Sequence, residues 1–284
     1  MKKLLTGVMA AMFIFVLAAC GSSDEEDSAS DGSGDDNKVI TVGATSVPHA
    51  EVLEKAKPLL KEKGITLKIE EYQDYILPNK DLAEGRIDAN YFQHIPYLKA
   101  QEKENGYDFV NLGGIHIEPM GIYSKNIDSK DDIKDGTTVI MSRSVADHGR
   151  ILSLLEREGL IKLDEDVDKV DATVDDIVKN PKNLKFDDGV EAAFLPETYK
   201  REEDALVAIN TNYAIEADLN PSEDALILEG ADSPYVNVIA AQSKDKDSKA
   251  LQTLVDVLHS DDIQNFIKEK YDGAVVPVDG SESE

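Results

Sequence analysis

Leu82-Ala83-Glu84-Gly85-Arg86-Ile87-Asp88-Ala89 reads as the end of a helix, a glycine that stops it, and an Ile-Asp-Ala phrase that enters a strand. Glycine ends helices readily because it takes the left-handed conformation without a Cβ clash. The same alternation extends in both directions. Toward the N-terminus, 39–44 is a short β-branched run ending in Gly43, 47–63 is helical by period and stops at Gly64, and 65–71 alternates as a strand. A polar turn and a short helix over 80–85 lead into the corner, and a strand over 87–92 leaves it. A helix over 96–105 and strands over 109–112 and 121–124 come next. A second set comprises a strand over 137–141, a helix over 148–158, strands over 190–194, 206–209, 225–228 and 237–241, and a helix over 248–271. Strands separated by helices over this length predict α/β domains with mainly parallel sheets.

The N-terminus carries a different signal. Lys2 and Lys3 precede an apolar stretch from Met9 to Val16 and the run Leu17-Ala18-Ala19-Cys20. A charged start, a short apolar segment and small residues describe a secretory signal over 1–19, since a finished membrane helix needs roughly 20 apolar residues. Leu-Ala-Ala-Cys resembles a bacterial lipobox, which implies that Cys20 is lipidated and becomes the mature N-terminus. As the chain's only cysteine, it leaves no thiol for a disulfide. Residues 21–38 hold seven acidic residues with Ser and Gly and no large apolar side chain, the composition of a flexible, self-repelling tether. Residues 278–284 are expected to form a frayed tail. The expectation is a protein lipid-anchored on the extracytoplasmic face of the cell membrane.

The chain has 284 residues, 41% of them apolar, and no tryptophan, enough for two modest domains with cores of their own. Its net charge of −27 excludes nucleic-acid binding, which needs a basic footprint, and adhesion to anionic lipid by charge alone. No nucleophile elbow, phosphate loop or dinucleotide fingerprint occurs, so neither an enzyme nor a cofactor is expected. His49, His94, His116, His148 and His259 include no His-x-x-x-His pair, and no metal is expected. Only a site assembled from distant elements would escape that reading.

Two stretches carry candidate binding residues. Asp88–Tyr97 (DANYFQHIPY) clusters Phe92, His94 and Tyr97 with Tyr91 at a strand end, where open α/β sheets bind ligands. Core packing is the alternative for each ring. Arg143 and Arg150 flank Ser144-Val145-Ala146-Asp147-His148-Gly149 at a helix start. Arginine's planar fork suits a carboxylate, and helix N-termini attract anions. Asp147 lies one turn from Arg150, so one helix start offers an anion and a cation, the complement of a zwitterionic α-amino acid. An ordinary i,i+3 ion pair within the helix is the competing reading.

Further phrases run in a recognisable order: Gly43-Ala44-Thr45, Val47-Pro48-His49-Ala50-Glu51, Asp74-Tyr75-Ile76-Leu77-Pro78-Asn79, Phe92-Gln93-His94, Glu118-Pro119-Met120-Gly121-Ile122-Tyr123-Ser124, Asn180-Pro181-Lys182-Asn183-Leu184, Ile209-Asn210-Thr211-Asn212-Tyr213-Ala214 and Ser233-Pro234-Tyr235-Val236-Asn237. With them the chain, from about Val39 to Pro277, resembles the NlpA lipoprotein family, the methionine-binding (MetQ-like) components of methionine ABC importers. The resemblance implies an α/β, two-lobed periplasmic-binding-protein-like (type II) fold with the ligand in a cleft between lobes. Lobe 1 would be 39–119 plus 237–277 and lobe 2 would be 120–236. It implies capture of L-methionine, with D-methionine a further candidate, by a monomer that hands it to an ABC permease and ATPase complex. Carried over by position, Tyr75, Phe92, His94 and Tyr97 would wall the thioether, Arg150 would hold the carboxylate, and Asn210 and Asn237 would bond the polar head.

One stretch departs from the family pattern. Relatives usually have Asn-Asp-Pro-x-Asn-x-x-Arg, whereas here the middle Asn is Asp147 and the Asn-Asp-Pro turn is gone. Glu197 also follows Leu195-Pro196 where relatives often carry Arg. Asp147 would then pair with an α-ammonium. The alternatives are another amino acid, a methionine derivative or a short methionine-containing peptide as ligand. Outside the class they are a surface hydrolase using His94 or His116 as base, or an adhesive lipoprotein.

Overall fold

The β-branched run forms strand β1 (Lys38–Thr45), whose C-terminal half is fully buried. The computed structural model describes residues 38–230 and 233–279; the expected signal segment, Cys20, the tether up to residue 37 and the tail from residue 280 lie outside them. Helix α1 (Glu51–Glu62) starts later than periodicity predicts. Val47 is extended (φ −124°, ψ 135°), as befits a residue before proline, and Ser46–Ala50 forms a separate turn. Strand β2 (Ile65–Tyr72) then runs parallel to β1.

The corner reads almost as expected. Helix α2 (Leu77–Ala83) ends at Glu84, and Gly85 takes φ +70°, a conformation that favours glycine. The Asp88 carboxylate accepts the Thr41 N–H at 2.7 Å, and the Asp88 N–H donates to the Thr41 carbonyl at 2.8 Å. The aspartate therefore stitches the corner to β1 and sets the register of strand β3 (Ala89–His94) beside it. Helix α3 (Ile95–Asn105) and strand β4 (Phe109–Ile117) complete this part.

The chain then crosses into a second sheet. Its elements are β5 (Gly121–Tyr123), β6 (Thr138–Ser142), α4 (Val145–Arg157), the small antiparallel pair β7 (Lys162–Leu163) and β8 (Ile177–Lys179), β9 (Lys185–Val190), α5 (Leu195–Arg201), β10 (Leu206–Ile209), α6 (Thr211–Glu216), α7 (Pro221–Asp224) and β11 (Ile227–Leu228). It returns through β12 (Val236–Gln242), α8 (Lys249–Leu258), α9 (Asp261–Tyr271) and β13 (Val276–Pro277).

The strand orders are β13-β4-β12-β3-β1-β2 and β11-β5-β10-β6-β9. Both sheets are mixed rather than mainly parallel. β1 pairs in parallel with β2 and β3, but β12 is antiparallel to β3 and β4 because it enters from the end at which both of those strands leave. Each sheet is covered on both faces. Leu53, Leu60, Leu254 and Ile267 pack on one side of the first sheet, and Leu82, Leu98 and Val238 on the other. Ile151, Leu155 and Leu206 fill one side of the second, and Tyr123, Leu195 and Val207 the other.

Other differences are local. The expected strand 190–194 is the end of β9 followed by a 3-10 turn at Ala192–Phe194; β9 escaped the pattern because its side chains are exposed or half-buried at a sheet edge. The expected helix 248–271 is two helices, separated at His259 and Ser260. Helix α4 begins three residues earlier than expected. Val278, expected in the frayed tail, is buried and donates its N–H to Ile115 O at 3.0 Å. Among the described residues no helix is long and apolar enough to cross a membrane.

Candidate functional site

Both crossings between the sheets, and the C-terminal ends of β3, β4 and β10, meet at one cavity. Tyr75, Phe92, His94, Tyr97, Asp147, Arg150, Asn210 and Asn237 all line it, joined by Gln93, Glu118, Thr211 and Asn212. About 20 Å³ of free space remains inside, because the polar groups of the two halves bond to each other. Past Tyr75 and Tyr97 it adjoins a wider opening of about 640 Å³ between α3 and the segments 142–146 and 191–194. Arg143 lies in that outer opening, exposed and paired with Glu191.

The apolar wall comes from the first sheet's side. The rings of Tyr75, Phe92 and Tyr97 lie 6.0–6.1 Å apart, and the Tyr97 hydroxyl donates to the Tyr75 carbonyl at 2.9 Å. The Tyr75 hydroxyl donates across to Asn212 Oδ1 at 2.5 Å. Tyr75 sits on the loop between β2 and α2, whereas Phe92 and His94 share a face of β3 through its two-residue period.

The charged groups arrange themselves differently from an intrahelical pair. His94 Nδ1 accepts the Tyr97 N–H at 3.1 Å, so its Nε2–H is the donor to Asp147 Oδ1 at 3.3 Å. Asn210 Nδ2 donates to the other Asp147 oxygen at 3.4 Å. Burial alone would raise the Asp147 carboxyl, but the His94 contact, helped by Arg150 and Asn210, outweighs it and holds Asp147 below the usual carboxylate range. Arg150 turns the other way. Its Nε donates to Glu229 at 2.9 Å, its Nη2 donates to Glu229 and to Glu118 O (2.6 Å), and its guanidinium lies 4.6 Å from the Tyr235 ring. Burial disfavours the cation, yet Glu229 and Asp147 keep it firmly protonated. Two of its three nitrogens are thus engaged before any ligand arrives.

Two buried polar atoms in the cavity wall have no partner: Asn210 Oδ1, an acceptor, and Asn212 Nδ2, a donor. A buried unpaired polar atom costs roughly 1–3 kcal/mol, so a ligand that satisfies both regains that energy. Sequence reasoning missed Asn212, Glu118 and Glu229. Asn212 was legible two residues after Asn210 in the Asn-Thr-Asn phrase. Glu118 opens the phrase Glu118-Pro119-Met120, which carried the resemblance but gave the carboxylate no role, and nothing distinguished Glu229 among 57 acidic residues.

Glu118 has partners behind the wall. Its Oε1 accepts from His116 Nε2 at 2.7 Å and lies 3.1 Å from His49 Nε2. Burial pushes the Glu118 carboxyl up, against the opposing pull of His49 and Arg150. Burial also drives the His49 imidazole down to about 4, with Glu118 opposing, and His116 down to about 3.

Comparison with known proteins places the chain. The family model described as NlpA lipoprotein matches residues 40–279. The methionine-binding lipoprotein MetQ of Bacillus subtilis is 49% identical over 280 residues, covering 98% of this chain and 99% of its own. An ABC transporter periplasmic substrate-binding protein from Coxiella burnetii superposes with a TM-score of 0.79 at 40% identity, over 84% of this chain and 100% of the other. A nutrient-binding protein from Burkholderia cenocepacia, solved bound to methionine, gives a TM-score of 0.79 at 39% identity over 84% and 99%. The cleft between two α/β lobes and the match over nearly all of the described chain agree: this chain belongs to the NlpA lipoprotein family.

Proposed function

We propose that this chain is an extracytoplasmic substrate-binding lipoprotein that captures methionine and delivers it to an ABC import permease and its ATPase. The observation that carries this reading is the cavity itself, which sets a buried anion, a buried cation and an aromatic wall around two unpartnered polar atoms. Asp147 and Asn210 Oδ1 would receive the α-ammonium, and Arg150 and Asn212 Nδ2 the carboxylate. The thioether would lie against Tyr75, Phe92 and Tyr97, with each sulfur–aromatic contact contributing about 0.3–1.5 kcal/mol. His94 would hold Asp147, and Asn237 would complete the polar end. The lobes, 39–119 plus 237–277 and 120–236, would open at the crossings near Glu118 and Tyr235 to admit ligand and close to present the loaded form. The protein would act as a monomer, without turnover.

Titration calorimetry of the full chain in detergent, stripped of ligand by unfolding and refolding, tests this. One-to-one binding of L-methionine is expected; no heat with methionine, D-methionine, other amino acids or methionine dipeptides would end the proposal. The 640 Å³ opening beside Tyr75 and Tyr97 favours a second reading, a ligand longer than methionine such as a short peptide. Tighter binding of a dipeptide in the same titration would select it. Asp147→Ala is expected to weaken methionine binding about 10- to 100-fold, the scale of a charge-assisted hydrogen bond. Unchanged affinity would remove Asp147 from the ammonium site. Anchoring is proposed to run through Cys20. Cys20→Ser should move the protein from the membrane fraction to the soluble one with its affinity unchanged, and continued membrane attachment would refute the lipid anchor.

A further inference from the structure

At the back of the cavity wall, four side chains from three stretches of the chain converge. His49 comes from the turn after β1, His116 from β4, Glu118 from the crossing that follows it, and Asn237 from β12. All four are buried. The metal-ligating atoms of His49, His116 and Glu118 lie within 4.8 Å of one another. Both imidazoles aim Nε2 at the same carboxylate oxygen, at 3.1 and 2.7 Å, and Asn237 Oδ1 stands 3.2 Å from His49 Nε2. The far nitrogens are also held: Thr45 Oγ1 is 2.7 Å from His49 Nδ1, and the Tyr91 hydroxyl bonds His116 Nδ1. The rings lie 5.0 Å apart, and the His49 ring meets Tyr91 edge-on at 4.7 Å.

We propose that His49, His116 and Glu118, with Asn237 as a fourth donor, form a transition-metal site whose preferred occupant is Zn²⁺. Two imidazole nitrogens, a carboxylate oxygen and an amide oxygen make a set that zinc accepts in tetrahedral geometry, with bonds of roughly 2.0–2.2 Å. A histidine ligand ordinarily has its second nitrogen fixed by an outer partner, and here both do. Those partners are hydroxyls, which donate or accept. Each ring can therefore move its proton to Nδ1, bond the same hydroxyl with the roles reversed, and free its Nε2 lone pair for the ion without losing a hydrogen bond. Glu118 supplies one negative charge against the ion's two positive ones. It also lines the ligand cavity together with Asn237, which provides a path for the ion from the cleft. The site shares Asn237 with the cleft, its Oδ1 facing the ion and its Nδ2 left for the organic ligand, but its core of His49, His116 and Glu118 does not depend on which organic ligand the cleft takes.

Zinc chloride titrated into the full chain in detergent, after chelator treatment, tests the site. Magnesium in millimolar excess keeps the many exposed carboxylates occupied by a hard cation. One equivalent of zinc is expected to bind, weakened by at least about 100-fold in both His116→Gln and Glu118→Gln. Absence of a stoichiometric site in the unmodified chain, or a site that survives both substitutions, overturns the proposal. Should either variant fail to fold, zinc-edge X-ray absorption of the unmodified chain decides: two imidazole ligands are expected, and an all-oxygen shell overturns the assignment.

Discussion

Arg150→Ala is expected to cost about 3–5 kcal/mol of folding stability and to reduce ligand capture by more than tenfold. A single charge-assisted contact to the ligand would by itself predict only the second effect, with the fold left intact. The structure buries the guanidinium: the Arg150 side chain is 4% exposed and that of Glu229 is 10% exposed. Removing one partner of a buried pair leaves the other charge uncompensated, and that loss exceeds the net worth of the pair itself. The two effects are separable. In the double variant Arg150→Met with Glu229→Leu both charges are gone but the Met120 N–H and Ser233 hydroxyl lose their acceptor, so urea unfolding should recover part of the lost stability while calorimetry still finds weak binding. A stable Arg150→Ala would show that Glu229 is not confined as described, and normal affinity in the double variant would remove Arg150 from the ligand site.

Gly149→Ala is the second large effect. Gly→Ala inside a helix ordinarily gains about 0.5–1 kcal/mol, since alanine has less conformational entropy to lose. At Gly149 the sign should reverse. A Cβ there would lie 2.1 Å from Lys169 O and 2.5 Å from Val170 O, both backbone atoms that cannot turn aside. Either α4 or the segment it packs on must move, at a cost of about 3 kcal/mol, the upper end of what overpacking ordinarily costs. Gly149 is flanked by His148 and Arg150, so the displacement carries Asp147 and Arg150 with it, and ligand affinity should fall together with the unfolding midpoint. Gly189→Ala is the control: only Asp187 Oδ1 lies near, at 3.5 Å, and a change within about 0.5 kcal/mol is expected. Equal effects at the two positions would mean that the close approach of α4 to Lys169 and Val170 has been misjudged.

Much of this architecture is written locally. Gly85 and Asp88 mark the corner because each performs its task within a few residues or against the neighbouring strand, one by its φ of +70° and the other by its bond to Thr41. The strand and helix periods of β1, α1 and β2 are likewise local, and so is the aromatic cluster that β3 carries into the cleft. The phrases around Tyr75, His94, Asn210 and Asn237 point to residues that line one cavity. Asp147 and Arg150 stood out as charges at a helix start, yet their partners did not. Asp147 turns to His94, 53 positions away, and Arg150 to Glu229, 79 positions away. The antiparallel return of β12 and the break at His259 in the last helical stretch also depend on the assembled sheet. So does the meeting of His49 with His116 and Glu118, which lie two residues apart at the end of β4 but far from His49 in the chain. Sequence by itself determined most of the elements, the family and eight of the residues that line the cleft, because period, turn chemistry and short phrases act over a few residues. Only the tertiary structure decided which charge faces which. In a chain this rich in carboxylates every cation has many candidate partners, and the choice is made by the strand order that brings distant segments to 2.9 Å at Arg150 and Glu229 and 3.3 Å at His94 and Asp147.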